Sequence, residues 1–179
     1  YTDHSYASGT GVYNLVKNDY CDEFIEAAGL SKDIFPEIIN SNSKVGRVNR
    51  TAALESGLKE GTLVVCGGVD NSCMALGARG LGEGRTYLSL GSSSWIAVTS
   101  KKPILDAKRR PYVFTHIDKE YYTSAMSIFS GGNSFRWVRD ELCKDLKEKE
   151  EDTYEIMNRV AEKVPIGSNG ILFNPSLAG

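Results

Sequence analysis

Three glycine-containing turns, each placed where a predicted strand ends, carry residue types that can do chemistry. In the first, from Gly67 to Asn71, Asp70 could act as a general base toward a substrate hydroxyl, and Asn71 could hydrogen-bond a second hydroxyl. Asp and Asn after glycine are also common turn formers, so the same residues are compatible with an ordinary turn.

The second turn runs from Leu90 to Ser94 and contains Gly91 followed by three serines. Small residues at such a position let backbone amides and hydroxyls approach a phosphate, and Gly91 and Ser92 are the candidates for that contact. A serine nucleophile is disfavoured because the segment lacks the second glycine of Gly-x-Ser-x-Gly and the chain has only two histidines to act as a base. A polar hairpin turn is the alternative interpretation.

The third turn, from Ser130 to Ser134, opens a predicted helix that also contains Arg136. A glycine pair at a helix N-terminus leaves amide groups that can bind the sugar or phosphate of a nucleotide. The alternative is an ordinary helix entry in which Asn133 or Ser134 is the N-cap.

Composition argues against several other classes of protein. The formal net charge of −2 removes the basic surface expected of a nucleic-acid-binding protein. No apolar run approaches the roughly 18 residues needed to cross a membrane. Four separated cysteines without a Cys-x-x-Cys pair argue against a zinc site, and they favour reduced thiols and hence a cytoplasmic protein.

The elements that must position the first turn are those of an α/β protein. Helices are predicted over residues 21–28 and 50–56, where Gly29 and Gly57 end them. The apolar residues 63–66 predict a strand buried on both faces, which would place Asp70 at the ligand-binding edge of a parallel sheet. A helix is predicted to follow this turn over residues 73–78.

The later elements position the other two turns. The glycines of residues 80–84 do not have the spacing of a dinucleotide-binding loop, and they predict a boundary between two domains. Beyond it, the predicted elements are strands over residues 86–90, 95–99, 112–117 and 121–126, helices over residues 132–146 and 153–164, and a strand that starts at residue 171.

Taken in order, these segments resemble the middle of an FGGY-family carbohydrate kinase, most of all a pentulose kinase of the xylulokinase type. The matching segments are spread over the whole chain. They are residues 2–11, 27–30, 45–48, 52–58, 64–77, 87–93, 130–142 and 175–179.

The resemblance implies an actin-like, RNase-H-like α/β fold of two domains, of which only the central part is present. Residues 1–80 would complete the N-terminal, sugar-binding domain, and residues 81–179 would begin the C-terminal, nucleotide-binding domain. The family's amino-terminal phosphate loop, with its metal-associated aspartate, and its adenosine-binding segment have no match here. The metal ligands are therefore unknown, and this fragment alone is expected to be inactive.

The resemblance also implies ATP-dependent phosphorylation of a sugar hydroxyl with Mg²⁺, with xylulose converted to xylulose 5-phosphate as the expected reaction. Asp70 would be the catalytic base, and Asp70 and Asn71 would contact the sugar. On the nucleotide side, Gly91 and Ser92 match the family's Gly-Thr phosphate turn, with serine in place of threonine. The remaining nucleotide contacts implied by the family are Gly132 and Arg136.

Two alternatives stay open. One is an FGGY kinase for another substrate, such as gluconate, ribulose or glycerol. The other is an actin-like nucleotide-binding module without sugar chemistry, against which Asp70 and Asn71 argue. The expected partners are a small-molecule sugar and ATP, with no nucleic acid and no membrane, and the full-length enzyme could form a homodimer.

Overall fold

The chain combines short helices with short strands, and a computed structural model describes it over residues 1–148 and 150–177. The helices are α1 (His4–Ala7), α2 (Asp22–Ala27), α3 (Arg50–Ser56), α4 (Asp70–Gly77), α5 (Gly132–Trp137) and α6 (Thr153–Ala161). The strands are β1 (Thr2–Asp3), β2 (Tyr13–Asn14), β3 (Asp19–Tyr20), β4 (Ile38–Ile39), β5 (Lys44–Arg47), β6 (Leu63–Val65), β7 (Thr86–Leu90), β8 (Ser94–Ser100), β9 (Tyr112–Thr115) and β10 (Tyr122–Ile128).

The chain divides into two compact units. The first unit consists of Tyr1–Tyr87 and Ala97–Ala125, and the second of Leu88–Ile96 and Met126–Gly179. The domain boundary predicted near residue 80, from the glycines of residues 80–84 and from the family resemblance, stays a prediction.

The first unit contains three pairs of short strands. Strand β1 pairs with β4 in parallel, with Thr2 opposite Ile38, and β2 pairs with β3 in antiparallel fashion. Strand β5 pairs with β6 in antiparallel fashion, and an irregularity lies between Lys44 and Gly46. The small side chains of Ala7 in α1 and Ala75 in α4 are buried in the first unit, so each helix packs closely against its own neighbours there.

The β-rich region after residue 85 is confirmed. A four-stranded sheet has the order β7-β8-β10-β9, and β7 has the predicted bounds. Strands β9 and β10 form the predicted antiparallel hairpin, with Tyr122 opposite Thr115. The amide of Tyr121 donates to the carbonyl of Asp118 at 3.0 Å, which closes the predicted turn.

The predicted environment of strand β6 is wrong. Its three residues are exposed, and its partner β5 runs antiparallel, whereas the apolar run predicted a strand buried on both faces of a parallel sheet. The physical reason is that β5 and β6 form a two-stranded ribbon, which covers neither face within the described residues.

Several predicted element bounds also differ from the structure. Helix α4 begins at Asp70 rather than at residue 73, so the candidate base lies in the first helical turn. The long helix predicted over residues 132–146 is α5 followed by a π-helical turn (Val138–Leu142) and a 3₁₀ turn (Lys144–Glu148). Residues 171–176 form no strand, because their backbone pairs with no other strand in the described part. Helices α2 and α3 end before Gly29 and Gly57 as predicted, both glycines having positive φ.

Cysteine pairing and helix hydropathy are two further features of the described residues. All four cysteines are free. Within the part of the chain that the structure describes, no helix is long and apolar enough to cross a membrane.

Candidate functional site

Asp70 is the first residue of α4 and its side chain is exposed. Val69 before it is extended, with φ −63° and ψ 149°, so the chain turns sharply from the glycine pair into the helix. One carboxylate oxygen of Asp70 accepts a hydrogen bond from the Asn71 amide at 2.7 Å. The other oxygen of an acceptor-only carboxylate is then available to a ligand hydroxyl.

Tyr87 lies beside this helix start and was not identified from the sequence. It is 8% exposed, and its hydroxyl donates to the backbone carbonyl of Asn71 at 3.5 Å. Burial, with the Asp70 carboxylate as the second cause, raises the pKa of Tyr87 to about 12. The phenol therefore stays protonated at neutral pH and keeps its capacity to donate beside the candidate base. The pattern of β7 gives no signal for this inward position, because its apolar pair Leu88 and Leu90 lies on the opposite, exposed face.

The glycine pair before Asp70 has a specific steric reason. Gly67 has φ +78°, a conformation that favours glycine. A Cβ on Gly68 would lie 2.8 Å from Cδ1 of Ile117 and 3.1 Å from Oγ of Ser5, so a side chain at this residue would require both neighbours to move. The turn is thus closely packed, and it delivers Asp70 to the surface from a fixed position.

The second and third turns meet within the second unit. The Gly132 amide donates to the Gly91 carbonyl at 2.8 Å, and the Asn133 amide donates to the Ser92 carbonyl at 3.2 Å. A Cβ on Gly132 would lie 2.6 Å from the Gly91 oxygen, so the two backbones approach as closely as glycine allows. The structure therefore brings together Gly91, Ser92 and Gly132, which the sequence had placed in separate turns.

The start of α5 differs from the ordinary helix entry that was the alternative interpretation of the third turn. Its N-cap is Gly131, and neither Asn133 nor Ser134 caps it through a side chain. The reason is that the carbonyls of Gly91 and Ser92 already satisfy the first amides that a capping side chain would bind. Because the Gly132 amide is occupied in this way, its predicted role toward a nucleotide would have to use other atoms of the residue.

Ser92 and Arg136 are exposed polar residues of the second unit that could contact a ligand. The side chains of Ser92 and Arg136 are both exposed, and within the described residues neither forms a side-chain hydrogen bond or an ion pair. A hydroxyl and a guanidinium are both donors that suit phosphate oxygens. The described residues hold no group of three or more His, Cys, Asp or Glu side chains that could bind a metal ion. A magnesium ion that arrives with a nucleotide is commonly held largely by phosphates, so its binding would depend on the nucleotide.

Comparison with known proteins identifies the family. A model of the N-terminal domain of the FGGY family of carbohydrate kinases matches residues 1–77. The chain belongs to the FGGY family. The resemblance inferred from the ordered turns is thereby confirmed.

Three of the relatives found match 95% or more of this chain. A xylulose kinase of Bacillus subtilis (strain 168) is 31% identical over 180 residues, covering 100% of this chain and 35% of the relative. A gluconokinase of the same organism is 29% identical, covering 99% of this chain and 35% of the relative. An autoinducer-2 kinase of Yersinia enterocolitica is 33% identical, covering 95% of this chain and 33% of the relative. The chain thus spans about a third of the length of these relatives.

Solved structures confirm the fold class. A ligand-bound xylulose kinase from Lactobacillus acidophilus has a TM-score of 0.86 at 24% identity, with 99% of this chain and 35% of that chain covered. A gluconate kinase from the same organism has the same TM-score, identity and coverage. The fold is therefore part of the actin-like, RNase-H-like α/β fold of FGGY sugar kinases.

Proposed function

We propose that this chain is the central part of an ATP-dependent carbohydrate kinase that transfers the γ-phosphoryl group of ATP to a sugar hydroxyl. The observation that carries the proposal is the exposed Asp70 carboxylate, presented by a tightly packed glycine turn in a chain of the FGGY family. Residues 1–80 would belong to the sugar-binding domain and residues 81–179 to the nucleotide-binding domain.

Asp70 is proposed to accept the proton of the attacking sugar hydroxyl. A carboxylate is a weak base, but phosphoryl transfer through a loose transition state depends more on positioning and charge stabilisation than on early proton removal. The Asn71 side chain is proposed to hydrogen-bond the sugar, and it makes no hydrogen bond within the described residues. The Tyr87 hydroxyl would hold the backbone of Asn71 and so fix the first turn of α4.

The second unit is proposed to bind the phosphates of ATP. The exposed Ser92 hydroxyl would donate to a phosphate oxygen, with the backbone of Gly91 allowing close approach. Gly132 would keep the two turns in contact, and Arg136 would contribute positive charge one helical turn later. When bound with the nucleotide, Mg²⁺ would offset the negative charge of the phosphates.

Xylulose is proposed as the substrate and xylulose 5-phosphate as the product, because xylulose kinases are among the relatives and structural neighbours. Gluconate is a second candidate, since a gluconokinase matches 99% of this chain at 29% identity.

A cytoplasmic location fits an ATP-dependent enzyme with four free thiols. A homodimer of the full-length protein is a further proposal.

The test is a coupled ADP-release assay of the full-length protein with ATP and a panel of xylulose, ribulose, gluconate, glycerol and autoinducer-2. Asp70→Asn should lower kcat by about 10² to 10⁴ while sugar binding persists. Asp19→Asn is the matched control, because Asp19 is also exposed and also accepts from the next amide at 2.7 Å. ATP hydrolysis that no sugar accelerates would favour the actin-like module instead, and a kcat above a tenth of wild type for Asp70→Asn would refute the base.

A further inference from the structure

Asp3 is a fully buried carboxylate, at 0% exposure, in the short strand β1. Its Oδ2 accepts hydrogen bonds from the hydroxyls of Ser5 and Ser41, both at 2.6 Å, and its Oδ1 accepts from the Tyr6 amide at 2.9 Å. A buried carboxylate is costly unless its acceptors are satisfied. These donors compensate the burial, so the carboxylate organises the groups around it.

The same two serines hold the turn that precedes the candidate base. The Val69 amide donates to the Ser5 hydroxyl oxygen at 2.9 Å, and the same hydroxyl donates its proton to Asp3. The Gly67 amide donates to the backbone carbonyl of Ser41 at 2.9 Å. Both ends of the turn are therefore bound by residues that Asp3 orders.

The middle of the turn lies directly against the carboxylate. A Cβ on Gly68 would lie 3.2 Å from Oδ2 of Asp3 and 3.1 Å from Oγ of Ser5. The absence of a side chain at residue 68 thus allows the turn to approach the Asp3 network closely. Asp70 directly follows Val69, so a shift of the Val69 amide would move the Asp70 carboxylate.

We propose that Asp3 is a positioning residue that acts through Ser5 and Ser41 to fix the turn from Gly67 to Val69 and thereby the direction of the Asp70 carboxylate. The inference rests on the proposed function, because it assigns Asp3 a role toward the proposed base. Reacting groups must lie close to their productive geometry, and a displacement of about 1 Å can cost about 100-fold in rate.

Ser5→Ala in the full-length enzyme is the principal test. It removes the hydroxyl that accepts from the Val69 amide, while Ser41 and the Tyr6 amide still donate to the buried Asp3 carboxylate. It should lower kcat by roughly 10- to 100-fold and change the sugar KM by less than about threefold. Ser43→Ala is the matched control in the loop of Ser41, and its kcat should stay within about twofold of wild type. Hydrogen exchange should become faster at the Val69 amide in Ser5→Ala only.

The double variant Ser5→Ala/Asp70→Asn separates positioning of the base from general destabilisation. If Ser5 acts through Asp70, the double variant should lose no more than about twofold relative to Asp70→Asn. A further loss as large as that of Ser5→Ala alone would overturn the inference. Asp3→Asn should show the same pattern, and Ser41→Ala replaces it as the second variant if Asp3→Asn does not fold.

The outcomes distinguish this inference from the proposed function. If Asp70→Asn is strongly impaired while the kcat of Ser5→Ala stays within about twofold of wild type, the positioning role is wrong and the base assignment stands. If Asp70→Asn remains active, the proposed base is wrong and the role of Asp3 toward it falls as well.

Discussion

Replacement of Gly132 by alanine tests how closely the two glycine turns of the second unit approach each other. The added Cβ would lie 2.6 Å from the oxygen and 3.3 Å from the carbonyl carbon of Gly91. Both are backbone atoms, and the Gly132 amide holds that oxygen at 2.8 Å. A rotamer change cannot relieve this contact, so the two backbones must separate by several tenths of an ångström.

The expected cost follows from two effects. Overpacking of a closely packed site costs about 1 to 3 kcal/mol, and a weakened hydrogen bond from Gly132 to Gly91 adds about 0.5 to 1.5 kcal/mol. Together these destabilise the contact between the turns by about 1.5 to 4.5 kcal/mol. Local opening would then expose the Gly132 and Asn133 amides roughly 10- to 1,600-fold more often, because about 1.4 kcal/mol corresponds to a factor of ten.

The measurement is hydrogen exchange, followed by mass spectrometry, of the peptide that contains Gly132. Gly77→Ala in α4 is the matched control, because a Cβ there would meet nothing within 4 Å. Alanine should be tolerated or slightly stabilising at that helical residue, by up to about 1 kcal/mol. Exchange of the Gly132 peptide within about threefold of wild type in Gly132→Ala would refute the close approach of the turns.

Three further outcomes are expected. Ser92→Ala should lower kcat/KM for ATP by roughly 10- to 150-fold with little change in the sugar KM, because it removes a hydroxyl that donates to a phosphate oxygen. The neighbouring control Ser93→Ala should keep a kcat/KM near that of wild type. A selective loss of sugar affinity in Ser92→Ala would contradict the phosphate role. Burial lowers the pKa of His116, so below about pH 6.5 the unfolded chain takes up a proton more readily than the folded one, and stability falls by up to about 1.4 kcal/mol per pH unit. The urea concentration at the midpoint of unfolding should therefore fall less between pH 7.5 and 5.5 for His116→Asn than for wild type. An equal fall in the two proteins would contradict this origin. The isolated 179-residue chain should lack sugar-dependent ADP release, because the family's amino-terminal phosphate loop and adenosine-binding segment have no match in it. It should also associate, as measured by light scattering, because Leu88 and Leu90 are 63% and 79% exposed. An active monodisperse monomer would refute both expectations.

Local sequence signals were sufficient for many of the elements. Helices α2 and α3 were predicted from the spacing of their apolar residues, and their ends from the glycine that follows each one. Both glycines have the left-handed backbone conformation that such a stop requires. The hairpin of β9 and β10 was predicted from two β-rich runs around a short polar turn. These features depend on residues close together in the chain, so their cause is visible in the sequence.

The candidate site was only partly accessible to such reasoning. Asp70 and Asn71, Gly91 and Ser92, and Gly132 and Arg136 could be proposed from their turns and from the family resemblance, and their roles stay predictions. The sequence also indicated that glycine pairs mark the first and third turns. It did not indicate that the Gly132 amide binds the Gly91 carbonyl, because that contact joins segments about 40 residues apart.

The hydrogen-bond partners of Asp3 and the environment of β6 were decided by tertiary structure alone. Asp3 is an ordinary polar residue in the sequence, and only the fold brings Ser41 to its carboxylate and Val69 to Ser5 across 38 and 64 residues. The apolar residues of β6 predict a buried strand, and that would require packing on both of its faces. Within the described residues, the strand pairs only with β5 and is exposed. Residue type determines what a side chain can do locally, whereas burial and hydrogen-bond partners depend on which distant segments pack against it.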